Sequence, residues 1–191
     1  MLYRVFPLAE AADPHEPGGP LFVPRLDQGA GRHDNPDSYG ALYLSRVPAS
    51  PVAEVLREYA GRGIRPRTLL HEGSPIALAT VAEGDLELVD LDDPRILSAR
   101  GLRPSTVATR NRETTQPFAL QLFEEGAVGL EWWSTIEASW INVTLFAERV
   151  ADRLRMAGEP ERLTLEHRAV RGAAEALGLD LGDGSPGSSP G

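Results

Sequence analysis

An α+β fold with a mixed or antiparallel β core and flanking helices is predicted by three features of this 191-residue chain. Its strand-like segments do not alternate regularly with helical ones, which argues against a doubly wound parallel sheet. Its composition, 41% hydrophobic and 25% charged, is that of a chain able to bury a core. No repeat at solenoid spacing runs through it, and its length suits one domain, residues 1–181. The Gly/Ser/Pro stretch 182–191 is expected to be a disordered tail.

Taken in order, Leu2–Phe6 reads as a strand. Ala11–Asp37 is dense in Pro, Gly, Asp and His and has no periodicity; loops of that length inside compact domains commonly border active sites. Ala41–Ser45 (ALYLS) alternates as a strand. Ser50 before Pro51 predicts a helix with a side-chain cap and proline at its first position, running to Ala60 before Gly61. Ile76–Val81 and Leu86–Leu91 predict a hairpin around Glu83-Gly84-Asp85, ended by Asp92-Asp93-Pro94. Glu113–Phe123 has helical spacing, with Pro117 either in its first turn or breaking it. Leu130–Trp133 and Ile141–Phe146 predict strands, the second rich in β-branched residues. Helices at Ala147–Met156 and Arg168–Leu177 then flank a short strand at Leu163–Leu165.

Composition excludes several functions. Net charge −9 disfavours attraction to nucleic-acid phosphates or anionic lipid. The absence of cysteine removes disulfides, thiolate nucleophiles and cysteine-built metal sites. No GxGxxG opens a helix, and Walker A, GxSxG and HExxH sequences are all missing. His15, His33, His71 and His167 lack ligand spacing and read as surface or loop residues, so no metal site is predicted. With no leader-like start and no long apolar run, a cytoplasmic protein is expected.

A few local phrases stand out. Gly31-Arg32 lies in the long loop with Asn35 soon after, Tyr43 in the next strand and Glu54 in the next helix, in two equal steps of eleven residues. Leu2-Tyr3-Arg4-Val5 opens the chain, and Trp132-Trp133-Ser134-Thr135 precedes the Asn142 strand. This ordered set resembles the RES family, named for an arginine, a glutamate and a serine, over roughly residues 2–155. His33 stands where the family often has a Trp, Asn35 is one place late, and Trp132-Trp133 replaces a small-residue turn with proline.

The resemblance implies an ADP-ribosyltransferase-like fold and an enzyme acting on NAD at the nicotinamide–ribose bond. That enzyme would be an NAD glycohydrolase or, with phosphate as co-substrate, an NAD phosphorylase. It also implies the toxin of a toxin–antitoxin pair whose partner is a helix-turn-helix antitoxin. A protein ADP-ribosyltransferase and a catalytically silent binding module of the same fold are the alternatives. Within that reading Arg32 holds the pyrophosphate, with Arg4 sharing the work. Glu54 stabilises the developing cation, Tyr43 offers a flat face and a hydroxyl, and Ser134 binds substrate.

Periodicity by itself places Glu54 elsewhere. On a helical wheel Val52, Val55, Leu56 and Tyr59 share one face and Glu54 lies opposite, as a solvated first-turn acid would. Glu54 lines a cleft only if the loop Ala11–Asp37 folds over that side. Arg110 and Arg112 read either as a second anion site or as solvated charges.

Overall fold

The computed structural model describes residues 1–9 and 12–182. The expected tail therefore lies outside the described residues from 183 onward. In chain order the elements are β1 (Leu2–Pro7), β2 (Ala41–Ser45), α1 (Ala49–Leu56), β3 (Gly63–Ile64), β4 (Leu70–His71) and β5 (Ser74–Glu83). There follow β6 (Val89–Asp90), α2 (Pro94–Ala99), α3 (Pro104–Ala108), α4 (Arg112–Glu124), β7 (Gly129–Trp133) and β8 (Ile141–Phe146). The last are α5 (Ala147–Val150), β9 (Leu154–Met156), β10 (Glu161–Arg162), α6 (Arg168–Leu177) and β11 (Asp180–Leu181).

Nine strands form the main sheet in the order β10-β5-β1-β2-β8-β7-β6, with β4 and β9 also on β5. Its neighbours are antiparallel except β6 with β7. Alternation along the strands separates two faces. Leu2, Phe6, Leu42, Leu44, Val143 and Leu145 pack on one, beneath Leu21 of the long loop. On the opposite face Tyr3 and Val5 pack against α1 and α6, while Ala41, Leu130, Trp132 and Phe146 pack against α2–α4. Two groups of helices thus share one face of the sheet.

Several sequence expectations need correction. Leu86–Leu91 does not pair back on β5: only Val89–Asp90 is a strand, parallel to β7 at the other edge of the sheet. Alternation shows that a segment suits a sheet and not which neighbour it takes. The partners of β5 are β1, β4, β9 and β10. The helix expected over Ala147–Met156 is three pieces, α5, a 3-10 turn Ala151–Arg153, and β9 paired with Val81–Glu83. The strand expected at Leu163–Leu165 is instead Glu161–Arg162, after which Leu163 N–H reaches Ile76 O. Pro117 neither starts nor breaks α4. It lies in the second turn of a helix capped by the Asn111 side chain.

Helix α1 begins one residue before Ser50, with no side-chain cap, and continues past Leu56 as a 3-10 turn to Tyr59. Its buried face is Val52, Ala53 and Leu56, whereas Val55 is exposed. Against it lies α6, whose Gly172 lets the two helices approach: a Cβ there would meet the Ala49 Cβ at 3.0 Å. Gly172→Leu should therefore cost about 1–3 kcal/mol by overpacking. Urea unfolding should show a lowered midpoint for it and little change for Glu175→Leu, an exposed position on the same helix.

Candidate active site

The ladder between β1 and β2 is a single pair, Tyr3 with Ser45, whereas β1 matches β5 over six residues and β2 matches β8 over five. Beyond that pair the strands part and a cleft of about 460 Å³ opens, lined by Arg4 and Val5 of β1 and by Ala41, Tyr43 and Leu44 of β2. Glu54, Val55 and Arg57 line it from the α1 side, Arg110 and Arg112 from the start of α4, and Trp132 and Asn142 from its floor. The cleft thus sits where the two groups of helices meet.

Parted strands leave backbone groups that need partners. The long loop supplies them: the Gln28 amide accepts from Ala41 N–H (2.9 Å) and donates to Ala41 O (2.7 Å). Arg4 donates through Nη1 to the carbonyls of Pro20 (2.6 Å) and Phe22 (2.8 Å). Burial pushes its guanidinium down to about 10. Asp34, itself buried, gathers the loop tip by accepting from Gly29 N–H (2.8 Å), Gly31 N–H (2.5 Å) and the Tyr43 hydroxyl (2.7 Å). Only glycine fits at 31, since a Cβ would stand 2.5 Å from Asp34 Oδ1 and 2.6 Å from the Tyr43 hydroxyl. From α4, Gln116 donates to the carbonyls of Gly29 and Gly31, and Thr115 to that of Arg32.

Arg32 is held in return. Its Nη1 donates to the carbonyls of Val107 (2.7 Å) and Thr109 (2.6 Å), and its guanidinium lies 4.5 Å from the centre of the Trp132 ring. Both bonds use one nitrogen, leaving Nε and Nη2 for a ligand. Burial lowers its pKa, and Glu54 opposes that shift while Arg110 adds to it. Glu54 pairs with Arg57 at 3.3 Å, one helical turn on. Five arginines, Arg4, Arg32, Arg57, Arg110 and Arg112, thus face a cleft whose single lining carboxylate among the described residues is Glu54. In a chain of net charge −9 this is a local reversal of sign.

The RES domain model matches residues 1–166. This chain belongs to the RES domain family. Among solved structures, the RES chain is similar to one chain of the M. tuberculosis MbcT-MbcA toxin-antitoxin complex. The TM-score is 0.60 at 16% identity, over 92% of this chain and 87% of that one. The likeness establishes the ADP-ribosyltransferase-like α+β architecture. No curated protein matches the sequence.

Of the residues expected from the RES resemblance, the fold brings Arg4, Arg32, Tyr43 and Glu54 into one cleft. Ser134 is not among those lining it. It is buried after β7, its Oγ accepting from Ile136 N–H at 3.1 Å and its N–H donating to Trp140 O, and it fixes the turn there. The Tyr43 hydroxyl is not free for a ligand either, because it donates to Asp34 and accepts from His33 N–H at 2.8 Å. Burial and the adjacent Asp34 raise its pKa well above the ordinary tyrosine value, so it stays protonated. The ring face remains as Tyr43's contribution.

Sequence reasoning missed Arg57, Trp132 and Asn142 as lining residues. Arg57 was findable, three residues after Glu54 on the same helix. Trp132 was not, because strand alternation does not tell a cleft floor from a core.

His33 is in the loop as expected but buried, at 2% exposure. Its Nδ1 lies 2.9 Å from Thr144 Oγ1, which also accepts from Trp132 Nε1 at 3.1 Å. Burial, and then the neighbouring Arg32, bring its pKa down to about 3, so the folded ring is neutral. Between about pH 3 and about pH 6.5 the unfolded chain therefore binds one proton more at this site, and stability falls as pH falls through that window. His33→Asn, which keeps a neutral hydrogen-bonding group near Thr144 Oγ1, should remove up to about 1.4 kcal/mol per pH unit of that slope. Urea unfolding at pH 4.5, 5.5 and 7 measures it; equal slopes in both proteins would refute the assignment.

Proposed function

We propose that this RES protein cleaves NAD at the bond between nicotinamide and ribose. The observation that carries the reading is the cleft itself: guanidinium groups for a pyrophosphate, one carboxylate among the described lining residues, and the ring face of Tyr43 for a flat heterocycle, with Trp132 backing Arg32. When the C1′–N1 bond breaks, its electron pair stays on the ring nitrogen, and nicotinamide leaves uncharged because it began as a cation. The leaving group needs no proton. The ribose is left with oxocarbenium character, and the Glu54 carboxylate, aimed at the cleft and steadied by Arg57, stabilises that charge.

Arg32, preset by two carbonyls and an aromatic face, grips the pyrophosphate without first having to be ordered. Arg4 serves mainly to hold the loop. Water then takes C1′ from the open side and releases a proton to solvent, giving ADP-ribose, or phosphate takes it, giving the 1-phosphate; the Arg110 and Arg112 side chains lining the cleft support the second case.

The same reading makes the chain the toxin of a toxin–antitoxin pair, with a helix-turn-helix antitoxin as partner. Its support is family membership and the fold likeness to a chain from such a complex.

Purified protein incubated with NAD, with and without phosphate, should release nicotinamide. Glu54→Gln should lower kcat roughly 10²-fold with KM little changed, the pattern of a group acting in the transition state. Chromatography of the products identifies the acceptor. Equal nicotinamide release by wild type and Glu54→Gln would remove Glu54 from the reaction, and no release by wild type would remove the reaction.

A further inference from the structure

Asn142 lines the cleft and carries a buried side-chain nitrogen with no hydrogen-bond partner among the described residues. The residue is 4% exposed, and its Nδ2 is the one buried side-chain nitrogen or oxygen so placed among the described residues. Buried amides are normally satisfied, so an orphan donor that lines a cleft points to a ligand. Its other end is fixed. Ser50, fully buried on α1, donates its hydroxyl to Asn142 Oδ1 at 2.7 Å. With Oδ1 engaged in this way, the amide presents N–H and not C=O to the cleft.

The surroundings narrow what it meets. Asn142 stands opposite Trp132 across the β7–β8 ladder and alternates onto the same sheet face as Thr144, whose partner on β2 is Tyr43. A neutral donor beside Trp132, with Ser45 across on β2 and Tyr43 one step along the same face, suits an uncharged carbonyl oxygen carried on a flat ring. We propose that Asn142 Nδ2 donates to the carboxamide oxygen of the nicotinamide ring, and that Ser50 is the positioning residue that aims it. This rests on the NAD-cleaving reading above. As the C1′–N1 bond breaks, the ring loses its positive charge and the carboxamide oxygen becomes a better acceptor. A donor held there therefore favours the departing ring over the bound substrate.

Three substrates test this: NAD, an analogue carrying 3-acetylpyridine, which keeps the carbonyl, and an analogue carrying unsubstituted pyridine, which lacks it. The preference, kcat/KM for NAD divided by kcat/KM for the pyridine analogue, does not depend on how much of a variant is folded. Asn142→Ala should lower that preference about tenfold, the worth of one buried hydrogen bond, and lower it alike for the acetylpyridine analogue. Ser50→Ala should lower it about threefold, the effect of a donor loosened but still present. A merely structural role would slow all three substrates by one factor, and that result for either variant overturns its assignment. If wild type releases no nicotinamide from NAD, the proposal falls together with the reading it rests on, an outcome seen without any variant.

Discussion

The pair Tyr3 and Ser45 is the only place where β1 and β2 meet in register, and the arrangement of the site depends on that short junction. Two strands central to a sheet ordinarily exchange hydrogen bonds along their length, because a buried N–H or C=O without a partner is costly. Here a loop side chain takes the place of a strand at Ala41, and a strand side chain ties the loop down. Gln28 spans both backbone groups of Ala41, and Arg4 holds two loop carbonyls. The sheet stays continuous through one pair while a cleft opens beside it, and the loop that satisfies the opening forms the cleft's wall. Loop and cleft are therefore one structure: loosening Asp34, which binds two glycine N–H groups and Tyr43, would disturb both.

Charge follows the same geometry. An acidic protein concentrates guanidinium groups around a depression, where low-dielectric walls focus their field on whatever enters. Several are restrained, Arg4 and Arg32 by carbonyls and Arg57 by Glu54, so a bound anion need not first order them. Glu54 sits among them as the group whose charge opposes an anion and favours a cation. That combination suits a substrate that is anionic at its pyrophosphate and becomes more cationic at its ribose as it reacts.

The sequence made some of this legible. Ala41–Ser45, Ile141–Phe146 and Arg168–Leu177 match their predicted spans because local pattern and tertiary role agree in them. Leu86–Leu91 and Ala147–Met156 fail because their pairing was decided by partners far away in the chain, β7 and β5. Glu54 is the informative intermediate. The helical wheel correctly put it away from the buried face, and the condition for its lining a cleft, that the long loop fold over that side, is what the structure shows. Ser134 shows the reverse: a residue in the right order along the chain whose hydroxyl is taken by the next turn. The family resemblance named four residues that share the cleft; it could not assign hydrogen-bonding duties inside it, because those belong to neighbours such as Asp34, Ser50 and Thr144 that no local pattern marks.

The central claim is that the opening between β1 and β2 binds NAD with its scissile bond beside Glu54. A crystal structure of the Glu54→Gln protein soaked with NAD tests it most directly. The account predicts the nicotinamide ring against Tyr43, the pyrophosphate on Arg32, and C1′ beside residue 54. Density for NAD elsewhere on the molecule, or in the cleft with its adenine end toward residue 54, would contradict it.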